Sequence, residues 1–392
     1  MKQKLGFFLL FLFSVGTAFS QSPYEFEVIK DLPATPVKDQ HRSGTCWSFS
    51  GLSFFESELL RMGKGEYNLS EMFVVRNTYS GKADKYVRMH GHSNFAGGGA
   101  FNDVTWTIEN FGIVPEEAYK GLSYGEFQHV HGELDIVLKG FIDAVIENKN
   151  RELSDAWKDG FEGLLDAYLG DYPREFAYNG KKYTPQSFAK ELGLDMDNYV
   201  MVSSFTHHPF YEPFVLEVPD NWGWGEVYNV KIDELTEIID NSIDKGYSVA
   251  WATDVSEKGF QWKKGFAVVP SEDIEDLAGL ERARWDELSD EEKENYIYDF
   301  TVIRAEKEIT QELRQEAFDS YQTTDDHGMH ITGLAVDQEG NEYYKVKNSW
   351  SDEDHIFDGY LYVSKPFVQY KTTSILIYKD GIPGEIREKL GL

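Results

Sequence analysis

Cys46 is the one cysteine in a chain of 392 residues. It can form no internal disulfide, and its most ordinary role is that of a small buried hydrophobe. Its neighbours suggest chemistry instead. Residues 44–62 follow a glycine, carry Trp47, Phe49, Leu52, Phe54, Phe55, Leu59 and Leu60, and stop at Gly63, a pattern that predicts a helix starting at or beside the thiol. Backbone N–H groups at a helix start favour an anion, so a thiolate at Cys46 would be stabilised there. A working thiol also needs an imidazole to take its proton, a third group to orient that imidazole, and a donor for the oxyanion formed when a carbonyl is attacked.

Histidines at hand are His327 and His330 in Asp326-His327-Gly328-Met329-His330-Ile331-Thr332-Gly333, and the close pairs His90/His92, His129/His131 and His207/His208. The pairs read as loop histidines rather than a metal site, and no metal or cofactor is expected. Three residues apart on a strand, His327 and His330 point to opposite faces, so one of them at most can serve Cys46. Gln40 stands six residues before Cys46, and Asn348 precedes Ser349-Trp350; taken alone, such an Asn is as readily a turn residue.

Around these positions the chain divides into a helix-rich first half and a strand-rich end. Phe101–Phe111 has helical spacing after the run Gly97-Gly98-Gly99, which by itself reads as a flexible tip. From about 150 to 200 the chain is mostly helical, with Trp157, Phe161, Leu164, Leu165 and Tyr168 on one stripe. Val230–Ile243 reads as a helix and Tyr247–Thr253 as a strand. Residues 271–315 read as an acidic helical stretch with a solvated face. Strands are expected at His327–Val336 and Tyr343–Asn348, joined by a turn, with a last strand pair at Gly359–Val363 and Thr373–Tyr378. The order predicts an α+β protein with a cleft between a helix-rich lobe (about 40–200) and a strand-rich lobe (about 201–392).

Lys2 and Lys4 precede an apolar run, Leu5–Phe13, and small residues Ala18 and Ser20, which reads as a signal peptide over residues 1–20. The protein from residue 21 onward is then expected outside the cytoplasm, periplasmic or extracellular, with no stable membrane insertion. Residues 1–20 hold two lysines and no acid, so the net charge of −30 becomes −32 without them. Such a chain repels phosphate polymers, which excludes nucleic acid as its main ligand.

The segment from Gln40 through Gly44-Thr45-Cys46-Trp47 resembles the papain-like cysteine peptidases, as do Asn68-Leu69-Ser70-Glu71, Gly98-Gly99 and Lys347-Asn348-Ser349-Trp350. His327-Gly328-Met329 with Gly333 fits the family's histidine strand without a gap, which selects His327 over His330. The resemblance implies a two-lobed papain-like fold with Cys46 as nucleophile, His327 as base, Asn348 orienting the base and Gln40 in the oxyanion hole. It further implies Gly98 and Gly99 pairing with substrate backbone, Trp47 and Trp350 shielding the site, and peptides as substrates. His327 and Asn348 follow Cys46 by 281 and 302 residues, where papain's own relatives have roughly 130 to 150. Ser43 stands where those relatives carry a cysteine. Large insertions without disulfides match the bleomycin hydrolase and aminopeptidase C branch, which Phe111–Pro115, Asn198–Val200, Val230–Val255 and Arg314–Gly333 also resemble. That branch implies aminopeptidase activity through a C-terminal arm whose carboxylate captures the substrate amine. The segment after Tyr378, Lys379–Leu392, looks short for such an arm. An open cleft that cleaves internal bonds therefore stands beside the aminopeptidase reading, and neither oligomeric state nor compartment carries over from the branch.

Overall fold

The computed structural model describes residues 22–149, 152–271, 285 and 287–392. The expected signal peptide and most of 272–286 lie outside them.

The helical lobe is built from α1 (Cys46–Arg61), α2 (Glu71–Arg88), α3 (Phe101–Phe111), α4 (Gly132–Ile146), α5 (Ala156–Leu169) and α6 (Pro185–Leu192). α1 has almost no solvated face. Leu52, Phe54, Phe55 and Leu59 are fully buried, and the buried carboxylates of Glu56 and Glu58 are met by Lys38 and Arg61. Its apolar side chains share one cluster with Phe73 and Tyr79 of α2, Val104 of α3, Leu138 of α4 and Phe161 of α5.

The second lobe is one large sheet. In chain order its strands are β1 (Phe26–Asp31), β4 (Tyr199–Ser203), β5 (Pro213–Val215), β6 (Glu226–Asn229), β7 (Val249–Thr253), β8 (Phe260–Gln261), β9 (Phe266–Ala267), β10 (His327–Asp337), β11 (Glu342–Lys347), β12 (Tyr360–Ser364) and β13 (Thr372–Tyr378), while β2 (Phe176–Tyr178) and β3 (Lys181–Tyr183) form a separate hairpin. The spatial order is β5-β6-β4-β13-β7-β10-β11-β12-β9-β8, with β1 also paired to β10. β10 is the strand on which the site depends: β7, β11 and β1 all pair with it, and α1 packs across it. α7 (Ile232–Lys245) and the helices Lys365–Lys371 and Gly384–Leu390 cover the sheet's other face.

The expected helices at Cys46, Phe101 and Val230 and the strands at Tyr247, His327 and Tyr343 form within a few residues of their predicted bounds. Four features differ. The strands near 360 and 373 do not pair with each other: β12 lies between β11 and β9, and β13 between β4 and β7. Lys365–Lys371 forms a helix between them, capped by Ser364, and carries the chain to the far side of β7 and β10. Residues 150–200 include the β2–β3 hairpin, and the acidic stretch breaks after Asp290–Ile297 into turns before the helix Gln311–Asp319. β1 joins the sheet from outside the expected strand-rich half.

Candidate active site

Cys46 is the first residue of α1. The backbone N–H groups of Gly328 and Trp47 are directed at its sulfur and favour the thiolate, and Ser50 Oγ donates to the Cys46 carbonyl at 2.7 Å. The close approach of β10 to α1 requires Gly328. A Cβ there would lie 2.8 Å from Ser50 Oγ and 3.3 Å from the Trp47 Cα. The residue shows one partly exposed face to a cavity lined by Gly99, Asn102, Asp220, Asp325 and His327. Around the rest of the sulfur lies protein, and that burial pushes the thiol up to about 12 against the pull of the Gly328 N–H.

His327 opens β10 and is 6% exposed. Its Nε2 lies 2.7 Å from Asn348 Oδ1. The amide oxygen can only accept, so Nε2 carries the proton and Nδ1 is the basic nitrogen. Asn348 is itself fixed: its N–H donates to Gly359 O at 3.1 Å, and its Oδ1 also accepts from the Ser349 N–H at 2.8 Å. The Trp350 ring lies 4.7 Å from the imidazole, backed by Trp262 and Phe260. Burial pushes the imidazole down to about 4, opposed by the Asn348 bond. Each group alone is thus held neutral, whereas a thiolate beside a helix start leads one to expect a charged pair. The reason is desolvation, which penalises either charge made singly; a proton passing from sulfur to Nδ1 creates both together, and each offsets the other's field.

Gln40 lies on the loop between β1 and α1, tied to the same segment as Asn348. Its N–H donates to Ser349 O at 2.8 Å and its Oε1 accepts from Ser349 Oγ at 2.7 Å. With Oε1 occupied, the Nε2 hydrogens remain to donate elsewhere. Ser349 therefore aims the amide, a role its place beside Asn348 hinted at but sequence reasoning did not assign. The loop is pinned by Lys38, whose ammonium meets Glu56 at 2.9 Å, Glu71 at 2.6 Å and the Leu69 carbonyl at 3.2 Å. Asn68-Leu69-Ser70-Glu71 is thus structural: Ser70 caps α2, and the Glu71 carbonyl accepts from Ser48 Oγ of α1 at 3.0 Å.

Trp47 lines the cavity with Cys46, and both tryptophans make further contacts at the site. Trp350 covers the His327–Asn348 bond, but Trp47 supports the glycine run from beneath, donating from Nε1 to Gly97 O at 3.1 Å. A Cβ on Gly99 would lie 2.7 Å from the Trp47 ring, and one on Gly98 would overlap the Asp220 carboxylate. Gly99 lines the cavity with Cys46 and His327; Gly98 does not, and its carbonyl is occupied by Lys82 Nζ.

His330 is fully buried on the face of β10 toward α1, with Nδ1 3.0 Å from Ser53 Oγ, which also accepts from Lys347 Nζ at 2.8 Å. His207, His208 and Glu217 bring three potential ligand atoms within 4.8 Å of one another. Gln315 works against a metal there. Its Oε1 accepts from the Thr206 N–H at 2.6 Å, so its Nε2 must donate to His207 Nδ1 at 3.0 Å. His207 Nε2 is then the protonated nitrogen, donating to Glu217 Oε2 at 3.1 Å and without a lone pair for a cation.

Two family models match the chain: the papain family cysteine protease model over residues 22–155 and the peptidase C1-like family model over residues 286–391. Aminopeptidase C of Lactobacillus delbrueckii subsp. lactis is 24% identical over 394 residues, covering 90% of this chain and 81% of the relative. Bleomycin hydrolase of Rattus norvegicus is 22% identical over 413 residues, covering 92% and 84%. The crystal structure of PepW from Lactobacillus rhamnosis shares the fold with a TM-score of 0.69 at 18% identity, covering 95% of this chain and 85% of that one.

Proposed function

The chain belongs to the papain-like cysteine peptidases, in the branch of aminopeptidase C and bleomycin hydrolase, and from that membership we propose that it hydrolyses peptides from a free N-terminus through an acyl-enzyme on Cys46. His327 Nδ1 takes the thiol proton as sulfur attacks the carbonyl carbon. The oxyanion meets Gln40 Nε2 and the N–H groups at the start of α1. The imidazolium then protonates the leaving amine, and water, activated by the same nitrogen, releases the acyl group. Asn348 keeps Nε2 protonated throughout, and Trp350 keeps water off that bond. The observation that carries this reading is the 2.7 Å His327–Asn348 bond, which leaves Nδ1 basic at the cavity where Cys46 opens α1.

Peptides are the substrates under this reading. The terminal pattern of Lys2, Lys4 and Leu5–Phe13 supports export to the periplasm or beyond. Among the described residues no helix is long and apolar enough to cross a membrane.

Cleavage of internal bonds is the second reading. One peptide assayed with a free and with an acetylated N-terminus separates the two. Under the aminopeptidase reading the acetylated form is cleaved at least about 30-fold more slowly, since burying an unpaired polar group costs about 2 kcal/mol or more. Equal rates would establish the internal mode.

A further inference from the structure

Asp220 lines the reaction cavity. Its carboxylate lines the same cavity as Cys46 and His327 and lies directly against Gly98, next to Gly99. In a peptide whose first carbonyl meets the sulfur, the α-nitrogen belongs to that same residue, about 2.5 Å from the carbonyl carbon. Its ammonium is therefore held inside the cavity that Asp220 lines.

The carboxylate has one direct hydrogen-bond partner among the described residues. Oδ1 accepts from Asn94 Nδ2 at 2.9 Å, which fixes the plane of the group. Among the described residues no cation forms an ion pair with Asp220. Lys82 is fully buried, donates to the carbonyls of Ala96 and Gly98, and acts on Asp220 through its field, drawing the carboxyl down against the upward push of burial. No lysine or arginine lines the cavity, while Asp325 and Asp326 add to its negative field. A primary ammonium in the cavity beside Gly99 would give the carboxylate a direct ion-pair partner. A chain continuing past its first residue would instead bring uncharged amide against the carboxylate.

We propose that Asp220 anchors the α-ammonium of the substrate's first residue and so sets exopeptidase specificity from within the cleft. This rests on the reading of Cys46 as nucleophile and names what selects its substrate. An alkylammonium can also come from a lysine side chain, and the assay separates these sources.

The test compares wild type with Asp220→Asn on leucyl and lysyl aminomethylcoumarin and on their N-acetylated forms. Wild type is expected to favour free leucyl over acetyl-leucyl substrate. Asp220→Asn is expected to lose at least about 30-fold in kcat/KM on the free-amine substrate, mostly through KM, and little on the acetylated one. Asp220→Glu should recover part of the preference, which a merely structural role would not do. Retention of the preference by Asp220→Asn overturns the assignment, as does a wild type indifferent to acetylation. A wild-type preference for acetyl-lysyl over free leucyl substrate overturns it too, since the side-chain ammonium would then be the ligand. Alkylation of Cys46 by iodoacetamide, followed in both proteins, separates this outcome from failure of the cysteine mechanism: loss of the free-amine preference with unchanged labelling supports the anchor, whereas turnover that survives complete labelling removes the nucleophile itself.

Discussion

Cys46→Ala and Cys46→Ser are expected to reduce peptide hydrolysis by about five orders of magnitude or more, the loss seen when a nucleophile that acts as one unit with its base is removed. The fold should survive. Cys46 sits in the first turn of α1 with one face toward the cavity, and the helix is held by Leu52, Phe54, Phe55 and Leu59 farther along. Removing one sulfur there costs about 1 kcal/mol at most. Thermal unfolding should therefore be nearly unchanged while turnover falls to background. A serine variant with substantial activity would mean that the thiol is not the attacking atom.

The second large effect separates two histidines three residues apart. His327→Ala should lower kcat by about a thousandfold or more, because it removes the imidazole that shares the cavity with the thiol. His330→Ala should change kcat by less than about tenfold and instead lower stability by about 1–3 kcal/mol, since Ser53 loses a buried partner. The pair's titration provides a further check. With the imidazole held down to about 4 and the thiol up to about 12, Cys46 and His327 together carry one transferable proton throughout that window. Alkylation of Cys46 should then stay level between about pH 5 and about pH 8, where a free thiol slows roughly tenfold per unit as it protonates. Below about 4 His327 gains a proton, can no longer accept one, and the rate should drop. In His327→Ala the free-thiol slope should return.

How far the sequence disclosed this site depended on the kind of interaction. Cys46, Gln40 and Asn348 stood out because short motifs hold them within a few residues of Trp47 and Trp350. The helix at Cys46 and the strand at His327 were legible because their apolar residues repeat with the period of the element they form. Pairing was not. β12 and β13 both read correctly as strands, yet the short helix between them, begun by the Ser364 cap, separates them in the sheet. Side-chain division of labour was equally hidden: nothing local distinguishes Trp47 beneath the glycine run from Trp350 over the imidazole. Asp220 is more distant still, 126 residues from Asn94 in sequence and joined to it only by the fold. The upward push on the Cys46 thiol and the downward push on the His327 imidazole follow from burial, which depends on how closely β10 approaches α1 and hence on Gly328.

The most direct measurement is the intact mass of the protein, acid-quenched within one turnover of a slowly released aminoacyl ester. The expected result is one acyl group per chain, mapped to Cys46, formed at the rate of product release and absent in Cys46→Ser and His327→Ala. Turnover that proceeds with no acyl group on Cys46, or with the group on another residue, would contradict the account.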